Sequence, residues 1–402
     1  MFLMTKGVRT NVKKRVGAVP GVEIGDIFFF RMELCTIGLH APIMAGIDYM
    51  SVKISLDEEP IAVSIVSSGG YKDDVEDDDG LIYSGQGKEM DQKLERGNLA
   101  LEKSLHRGND IRVIRGIKDV GNPTGKVYVY DGLYRIQESW VEKGKSGSNV
   151  FRYKLGRLPG QPDAYKLWKK IQQWKDGSIP RTGIILPDLT SGAETLPVSL
   201  VNDVDHEKGP AYFNYSPTLK YSKPVPRDPF VGCACNGACL PGNENCDCVQ
   251  KNGGYLPHIV NGVIGGLRVR LEVFKTKDRG WGLRSWDPIR AGAFICVYAG
   301  EAVDDSKAQE LAGENEDNHI FDGTRIYQPV ESFACCSPNL FWQPVLRGNS
   351  KEFDLHIAFY AIRHVPPMTE LTYSYGMVPP EKADHGKKKC LCGSPKCRGF
   401  FY

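Results

Sequence analysis

The chain has 402 residues, 41% of them hydrophobic and 25% charged, with a formal net charge of +2. This is the composition of folded globular protein, long enough for roughly two to four domains, and it excludes a disordered or fibrous chain. The near-neutral total neither demands nor forbids nucleic-acid binding, because phosphate contacts depend on local patches.

One such patch opens the chain. "TKGVRTNVKKRVG" at residues 5–17 holds Lys6, Arg9, Lys13, Lys14 and Arg15 with no acid. No run approaches the roughly 20 apolar residues of a membrane span, and "MFLM" is too short for a signal-peptide core. The expectation is an intracellular protein with no membrane partner. From Val19 to about Leu155, "GDIFFFRMEL", "PIAVSIVSSGG", "IRVIRGIKD" and "GKVYVYDGLYRI" are rich in β-branched and aromatic residues and punctuated by Gly, which predicts a β-rich domain with a curled sheet. "MDQKLERGNLALEKSL" interrupts it, with Leu94, Leu101 and Leu105 near helical spacing. In "DAYKLWKKIQQWKDG", Ala164, Leu167, Trp168, Ile171 and Trp174 predict an amphipathic helix closed by Gly177, packed on a neighbouring domain. A Pro-rich passage, "SPTLKYSKPVPRDPF", leads to a first cysteine group, and a second strand-rich region follows Gly266. The fold class expected is mixed and mostly β: a curled, barrel-like domain, then a second β-rich domain between cysteine-rich flanks.

Most of the twelve cysteines fall into tight groups, which in a reducing compartment suggests metal ligation, zinc first, rather than disulfides. "CACNGACLPGNENCDC" supplies Cys233, Cys235, Cys239, Cys246 and Cys248, and two Cys-x-Cys pairs this close suit thiolates shared between zinc ions. "CLCGSPKC" adds Cys390, Cys392 and Cys397, one ligand short of a tetrahedral site.

The stretch "GGYKDDVEDDDGLIYSG" at residues 69–85 sets six carboxylates between two tyrosines. A run of Asp by itself makes a solvated turn. Its surroundings say more: "GAVPGVEIGDIFFFRMELCTIGLH", "MAGIDYM", "SGGYKDDVEDDDGLIYSGQG" and "DQKLERGNLAL" resemble the SRA domain, the module that flips and reads methylated cytosine. The resemblance implies that Tyr71 and Tyr83 stack on the extruded base and that Asp74 accepts its exocyclic amine. It further implies that Gly69, Gly70 and Ser84 lie against the base, with Glu76 and Asp77 to Asp79 left as a hydrated loop. Lys13, Lys14 and Arg15 are the candidates for phosphate contact.

Downstream, "RGWGLRSWDPIRAGAFICVYAGE", "ACCSPNLFWQP", "HIAFYAIRHVPPMTELTYSYG" and "CRGFF" resemble the SET methyltransferase domain with its pre-SET and post-SET flanks. Joined to an SRA domain, this is similar to the plant SUVH-type histone H3 lysine-9 methyltransferases. That family implies S-adenosylmethionine and zinc as cofactors, methylated DNA and the histone H3 tail as partners, gene silencing as the role, and the nucleus and chromosome, in heterochromatin or at the centromere, as the location. By motif position, Gly280, Trp281 and Gly282 form the cofactor loop. Tyr298 and Tyr375 line the lysine channel, Tyr375 carrying the essential hydroxyl, and Tyr373 tunes methylation number. Cys336 completes the post-SET zinc. The implied domains are SRA at 8–158, a linker helix at 161–180, a partial pre-SET at 185–266, SET at 267–377 and post-SET at 386–402.

The sequence also departs from the family. In "ESFACCSPN", Phe333, Ala334 and Cys335 occupy the places of an Asn-His-Ser run that holds the cofactor, and neither Phe nor Ala can reproduce those side-chain hydrogen bonds. The segment between "IFDGTRIY" and "ESFACC" is short, "QKNGGYLPHIVNGVIGGLRVRLEV" has none of the four further pre-SET cysteines, and Ser374 replaces an aspartate. Two readings stay open: a methyl-DNA-guided histone methyltransferase, or a catalytically inactive methyl-DNA reader or scaffold.

Overall fold

The structure, a computed structural model, describes residues 8–52, 59–68, 76–77, 80–87, 91–119, 125–144, 146–210, 212–221, 245–246, 266–314, 338–349, 352–373, 388–389 and 400–401. The chain divides into two compact units, Met1–Pro180 and Arg181–Tyr402. No helix among the described residues is long and apolar enough to cross a membrane.

The first unit runs β1 (Ile27–Phe28), α1 (Arg31–Thr36), β2 (Ile47–Met50), β3 (Ile61–Ser67), β4 (Glu76–Asp77), β5 (Gly80–Ser84), α2 (Arg96–Arg107), β6 (Ile111–Lys118), β7 (Lys126–Lys143), β8 (Asn149–Arg157) and α3 (Ala164–Asp176). Its sheet has the order β2-β3-β6-β7-β8-β5-β4, with β1 added on β7. Only β3 and β6 are parallel. Every residue of β3 is buried, because both faces of the sheet are covered, which is why "IAVSIVS" reads as a continuous rather than an alternating apolar run. Ala100 and Leu101 of α2 pack on one cluster with Ile65, Leu81, Val113 and Leu155. Leu34 and Leu39 pack on another with Phe28, Val66 and Ile114.

Two elements differ from the sequence reading. The strand expected across "GDIFFFRMEL" shrinks to two residues before α1, because the Glu33 carboxylate accepts the amides of Phe29 (2.7 Å) and Phe30 (3.1 Å) and so satisfies helix-start donors. The amphipathic helix α3 docks on the sheet of its own unit: Trp168 is buried with Ile27, Phe29, Val127 and Val129. Arg115, paired with Asp131 at 2.9 Å, lies 4.7 Å from the centre of the Tyr165 ring and ties the helix down from the other side.

Buried hydrogen-bond donors hold the loops of this unit. Arg112, 1% exposed, donates to the carbonyls of Leu39 (3.1 Å), Arg15 (2.8 Å) and Gly17 (2.6 Å). Desolvation lowers its pKa to about 10, so the guanidinium stays charged at neutral pH. His40 is fully buried between the Ser64 hydroxyl (2.8 Å) and the Ala45 carbonyl (2.9 Å). The carbonyl can only accept, so Nε2 carries the proton and Nδ1 accepts from Ser64.

The second unit runs β9 (Ile184–Leu186), β10 (Ser199–Val201), β11 (Lys220–Tyr221), β12 (Leu271–Lys275), β13 (Trp281–Ser285), β14 (Phe294–Tyr298), β15 (Glu301–Ala302), α4 (Asp305–Glu314), β16 (Leu340–Asn349), β17 (Glu352–Ala361), β18 (Lys388–Lys389) and β19 (Phe400–Phe401). The strands form small sheets, β13-β12-β10-β9 and β14-β17-β16 chief among them. At the centre of the first, Glu272 is fully buried. It accepts from Arg181 (3.1 and 3.2 Å), Arg284 (2.8 Å) and the Trp286 indole (2.7 Å). Such a carboxylate is tolerable only because its lone pairs are filled.

Burial lowers the His40 pKa from 6.5 to about 4, outweighing the hydrogen bond to Ala45 that raises it. The folded-state value lies below the unfolded one, so the neutral ring stabilises the unit fully above pH 6.5 and that contribution is lost as pH falls toward 4. Its size is on the order of 3 kcal/mol. Urea unfolding across this window should show a smaller acid-induced loss in His40→Asn than in the wild type; identical slopes would mean that His40 is not the titrating group.

Candidate functional site

The first candidate site grows from the loop between α1 and β2. Arg31 donates to the carbonyls of Ile43 (3.0 Å), Pro42 (3.3 Å) and Ala45 (2.6 Å). Asp48 accepts the Ala41 amide at 2.9 Å, and the Gly46 carbonyl accepts the Val66 amide at 2.8 Å. The backbone from 40 to 46 is therefore fixed on both sides. At its tip Met44 is 91% exposed, an apolar side chain held out into water by a rigid loop.

Gly46 lies under Tyr83. A Cβ built on Gly46 would sit 2.5 Å from the Tyr83 hydroxyl, so the phenol fills the space that a side chain at 46 would need. Tyr83 is only 7% exposed, its ring packed into the cluster that holds Ile47 and Tyr153. Ser84, 2% exposed, takes a short hydrogen bond from Arg152, whose Nε pairs with Glu142 at 2.7 Å. The turn after β5 is clamped from α2 and its approach. Gln86 donates its amide to Asn98 (2.7 Å), and the Gln92 amide donates to the carbonyls of Gly85 (2.8 Å) and Gly87 (2.9 Å). Thus Tyr83 and Ser84 sit on a braced strand end. Tyr71, Asp74, Gly69 and Gly70 lie outside the described residues. Among the candidate phosphate contacts, Lys14 is turned inward to Asp48 (2.5 Å) and the Tyr49 carbonyl (2.8 Å), while Lys13 is exposed.

In the second unit the predicted cofactor loop is the tight connection between β12 and β13. Gly280, with φ of +73°, closes the turn, and its carbonyl accepts both the amide (2.8 Å) and the hydroxyl (2.9 Å) of Thr276. A Cβ at Gly280 would meet nothing within 4 Å, so that side of the turn is open. Gly282 faces the interior, where a Cβ would sit 2.9 Å from the Phe274 ring. The Trp281 indole donates to Glu207 at 3.1 Å, and Lys275, ion-paired to the same Glu207, lies 5.4 Å from the ring centre.

Tyr298 and Tyr373 are brought to one place by a residue that the sequence reading missed. The buried Phe359 ring lies 6.0 Å from Tyr298 and 4.9 Å from Tyr373, centre to centre. The pairing of β14 with β17 sets Tyr298 opposite Ile357, and a bridge from Leu340 carries Tyr373. Tyr375 lies outside the described residues, as do Phe333, Ala334 and Cys335. Of the predicted metal ligands only Cys246 is described, and it is buried; Cys233, Cys235, Cys239, Cys248, Cys336, Cys390, Cys392 and Cys397 are not. No cluster of metal-binding side chains occurs among the described residues.

Comparison with known families matches the SAD/SRA domain at residues 15–161, the Pre-SET motif at 190–269 and the SET domain at 280–376. Among curated relatives, the H3 lysine-9 specific histone-lysine N-methyltransferase SUVH1 of Nicotiana tabacum is 58% identical, over 100% of this chain and 65% of its own length. SUVH3 of Arabidopsis thaliana is 51% identical, over 99% of this chain and 71% of its own length. The chain thus spans about two thirds of these relatives. The tobacco alignment runs over 465 positions against a chain of 402, so more than sixty of its positions have no residue here. Among solved structures, Arabidopsis thaliana SUVH6 in complex with SAM is 35% identical with a TM-score of 0.79, covering 100% of this chain and 90% of that one. KRYPTONITE in complex with mCHH DNA, H3(1-15) peptide and SAH is 29% identical with a TM-score of 0.76, covering 100% and 93%.

A SAD/SRA domain followed by a Pre-SET motif and a SET domain defines the class, that of SRA–SET histone-lysine N-methyltransferases. This chain belongs to the SUVH family of H3 lysine-9 histone-lysine N-methyltransferases.

The contact between Gly46 and Tyr83 makes a direct prediction. Gly46→Ala should displace the phenol and cost about 1–3 kcal/mol of stability by overpacking. Urea denaturation followed by tyrosine fluorescence measures it, and an unchanged midpoint would mean that the ring has spare room.

Proposed function

We propose that the chain is a histone H3 lysine-9 methyltransferase, using S-adenosylmethionine and brought to chromatin by its SRA unit through methylated DNA. The observation that carries this is full-length similarity, in both units, to a structure that holds methylated DNA, an H3 peptide and SAH together. Heterochromatin, or the centromere, is the place where such coupling of DNA methylation to histone methylation acts in gene silencing.

In the SRA unit, Tyr71 and Tyr83 stack on an extruded methylcytosine, which requires the 7% exposed Tyr83 ring to be uncovered as the base enters; the stacking supplies roughly 1–3 kcal/mol against an unstacking cost of a few kcal/mol. Asp74 accepts the exocyclic amine, the pairing expected of a carboxylate with cytosine. Gly69 and Gly70 let the backbone approach the base. Ser84 acts one layer back, its hydroxyl engaged by Arg152. Met44 adds what a stacking pair alone lacks: an exposed apolar wedge on a fixed loop, of the kind that enters base steps and holds a duplex open. Burying one methyl carbon is worth only about 0.8 kcal/mol, so selectivity for the methylated base comes from pocket shape, which Gly46 and Tyr83 set jointly.

In the SET unit, S-adenosylmethionine would supply an activated methyl group, held by the backbone of Gly280, Trp281 and Gly282. The open face of the Gly280 turn is compatible with a bound group there. Tyr298 and Tyr375 line the channel that strips water from the target amine and orients its lone pair, and Tyr373 limits the room for added methyl groups. Zinc would be held by Cys233, Cys235, Cys239, Cys246 and Cys248, and at the post-SET end by Cys336, Cys390, Cys392 and Cys397, a donor set whose chemistry suits tetrahedral thiolate coordination.

A second reading, a methyl-DNA reader without turnover, is favoured by one feature. Phe333 and Ala334 offer no polar side chain where the family uses Asn and His to hold the cofactor.

Two measurements separate these readings. Fluorescence anisotropy should show tighter binding to methylated than to unmethylated duplex, with the difference lost in Tyr71→Ala and the affinity for both reduced in Met44→Gly. Equal binding to both duplexes by the wild type removes the reader function. Calorimetric titration with S-adenosylmethionine should give saturable binding, and its absence leaves only the reader.

A further inference from the structure

The strand pair β6 and β7 carries the root of the base-reading loop. β3 ends where Ser67 pairs with Arg115 on the parallel strand β6. The next residue, Ser68, is bonded directly to Gly69, the first of the loop residues proposed above to meet the base. Past its last ladder pair the backbone must find other partners. The Ser68 carbonyl accepts a hydrogen bond from the Lys126 ammonium at 2.9 Å, and Lys126, the first residue of β7, is half-buried.

Packing fixes the same residue from the sheet side. Gly116 of β6, opposite Tyr128 of β7, has no side chain, and Ser68 fills the room this leaves. A Cβ built on Gly116 would lie 2.8 Å from the Ser68 Cβ and 3.1 Å from its Cα, and 3.4 Å from the Tyr128 ring. The Arg31 guanidinium, which holds the carbonyls of Pro42, Ile43 and Ala45, lies 5.8 Å from the centre of the same ring. Lys126 and Tyr128, two residues apart on one face of β7, therefore reach both DNA-facing segments: the root of the base-reading loop directly, and the Met44 loop through Arg31.

The consequence is one of position. Two glycines in succession, Gly69 and Gly70, leave the chain beyond Ser68 free to take many directions, so the start of the loop is set by how firmly Ser68 is held. A binding constellation must be kept within about 0.5 Å of its productive geometry by supports of this kind.

We propose that Lys126 is a positioning residue for methylcytosine reading: it fixes Ser68 on the seat left by Gly116 and so sets the base-reading loop against the Met44 loop. Its ammonium serves the protein's own backbone rather than a DNA phosphate. The inference rests on the reading that this loop meets the base, and extends it to residues outside the pocket.

The test uses the full chain with labelled methylated and unmethylated duplexes, followed by anisotropy at several salt concentrations. Lys126→Met keeps the apolar stem and removes the donor. It should weaken binding of the methylated duplex roughly tenfold, the scale of one lost hydrogen bond to a charged group, and binding of the unmethylated duplex by less than about twofold. The slope of affinity against salt should stay the same, whereas loss of a phosphate contact would lower it by about 1. Lys126→Arg, which retains a donor, should recover most of the affinity, and Gly116→Ala, which pushes Ser68 off its seat with Lys126 intact, should reproduce the loss. Equal loss on both duplexes, a slope reduced by about 1, or wild-type selectivity in both Lys126→Met and Gly116→Ala overturns the proposal. Hydrogen exchange of the free protein gives a second readout: residues 64–68 should exchange faster in both variants than in the wild type, while residues 111–115 of β6 should not. Should the wild type show no preference for methylated duplex, the reader function fails, and exchange at 64–68 then decides by itself whether Lys126 holds the root; unchanged exchange there overturns the proposal.

Discussion

The first unit depends on guanidinium groups that donate inward to backbone carbonyls. Arg112 fixes three of them, two in the N-terminal segment and one at Leu39, and Arg31 fixes three more at Pro42, Ile43 and Ala45. Loop carbonyls buried away from water must find donors, and one arginine with a forked donor set serves several at once. The result is a loop without regular structure that nevertheless behaves as a rigid element. Gly46 can therefore press on Tyr83, and Met44 can stand out alone, because the backbone between them cannot relax.

The second unit solves a related problem with the charges reversed. Glu272, at the middle of β12, gathers Arg181, Arg284 and Trp286, and through them joins β12 to β13 and to the chain ahead of β9. Replacing such a carboxylate would leave Arg181 with Asp203 and take from Arg284 the carboxylate it is paired with, which is why the cluster acts as one unit. The hairpin carrying Gly280 and Trp281 rests on this anchor, and the Phe359 ring does the equivalent for Tyr298 and Tyr373 on the other sheet. Rigid supports of this kind are what a site needs when a displacement of about 1 Å can remove most of its effect.

Much of this organisation is legible in the chain. The strands around Ile61, Ile111 and Lys126 and the helix closed by Gly177 follow from pattern and punctuation, and the motif residues identify the two units and their order. The misread elements have local causes. "GDIFFFRMEL" has the composition of a strand, but Glu33 lies where its carboxylate can cap a helix, and a single side chain outweighed the propensity of its neighbours. Lys14 reads as a phosphate contact by charge alone, yet Asp48, 34 residues away in sequence, holds it. Phe359 and Met44 lie within stretches that resemble the family, but residue type alone gives neither a role, and their importance comes only from what stands beside them.

The sequence by itself determined the family, the order of the two units and the predominance of strand, because these rest on side-chain type and short-range spacing. Tertiary structure alone decided that Tyr83 is packed on Gly46, that Ser84 answers to Arg152, and that Tyr298 and Tyr373 share one phenylalanine. Those facts depend on contacts between residues far apart along the chain. Such contacts exist only once packing and buried hydrogen bonding have chosen one arrangement among the many that the same local preferences allow.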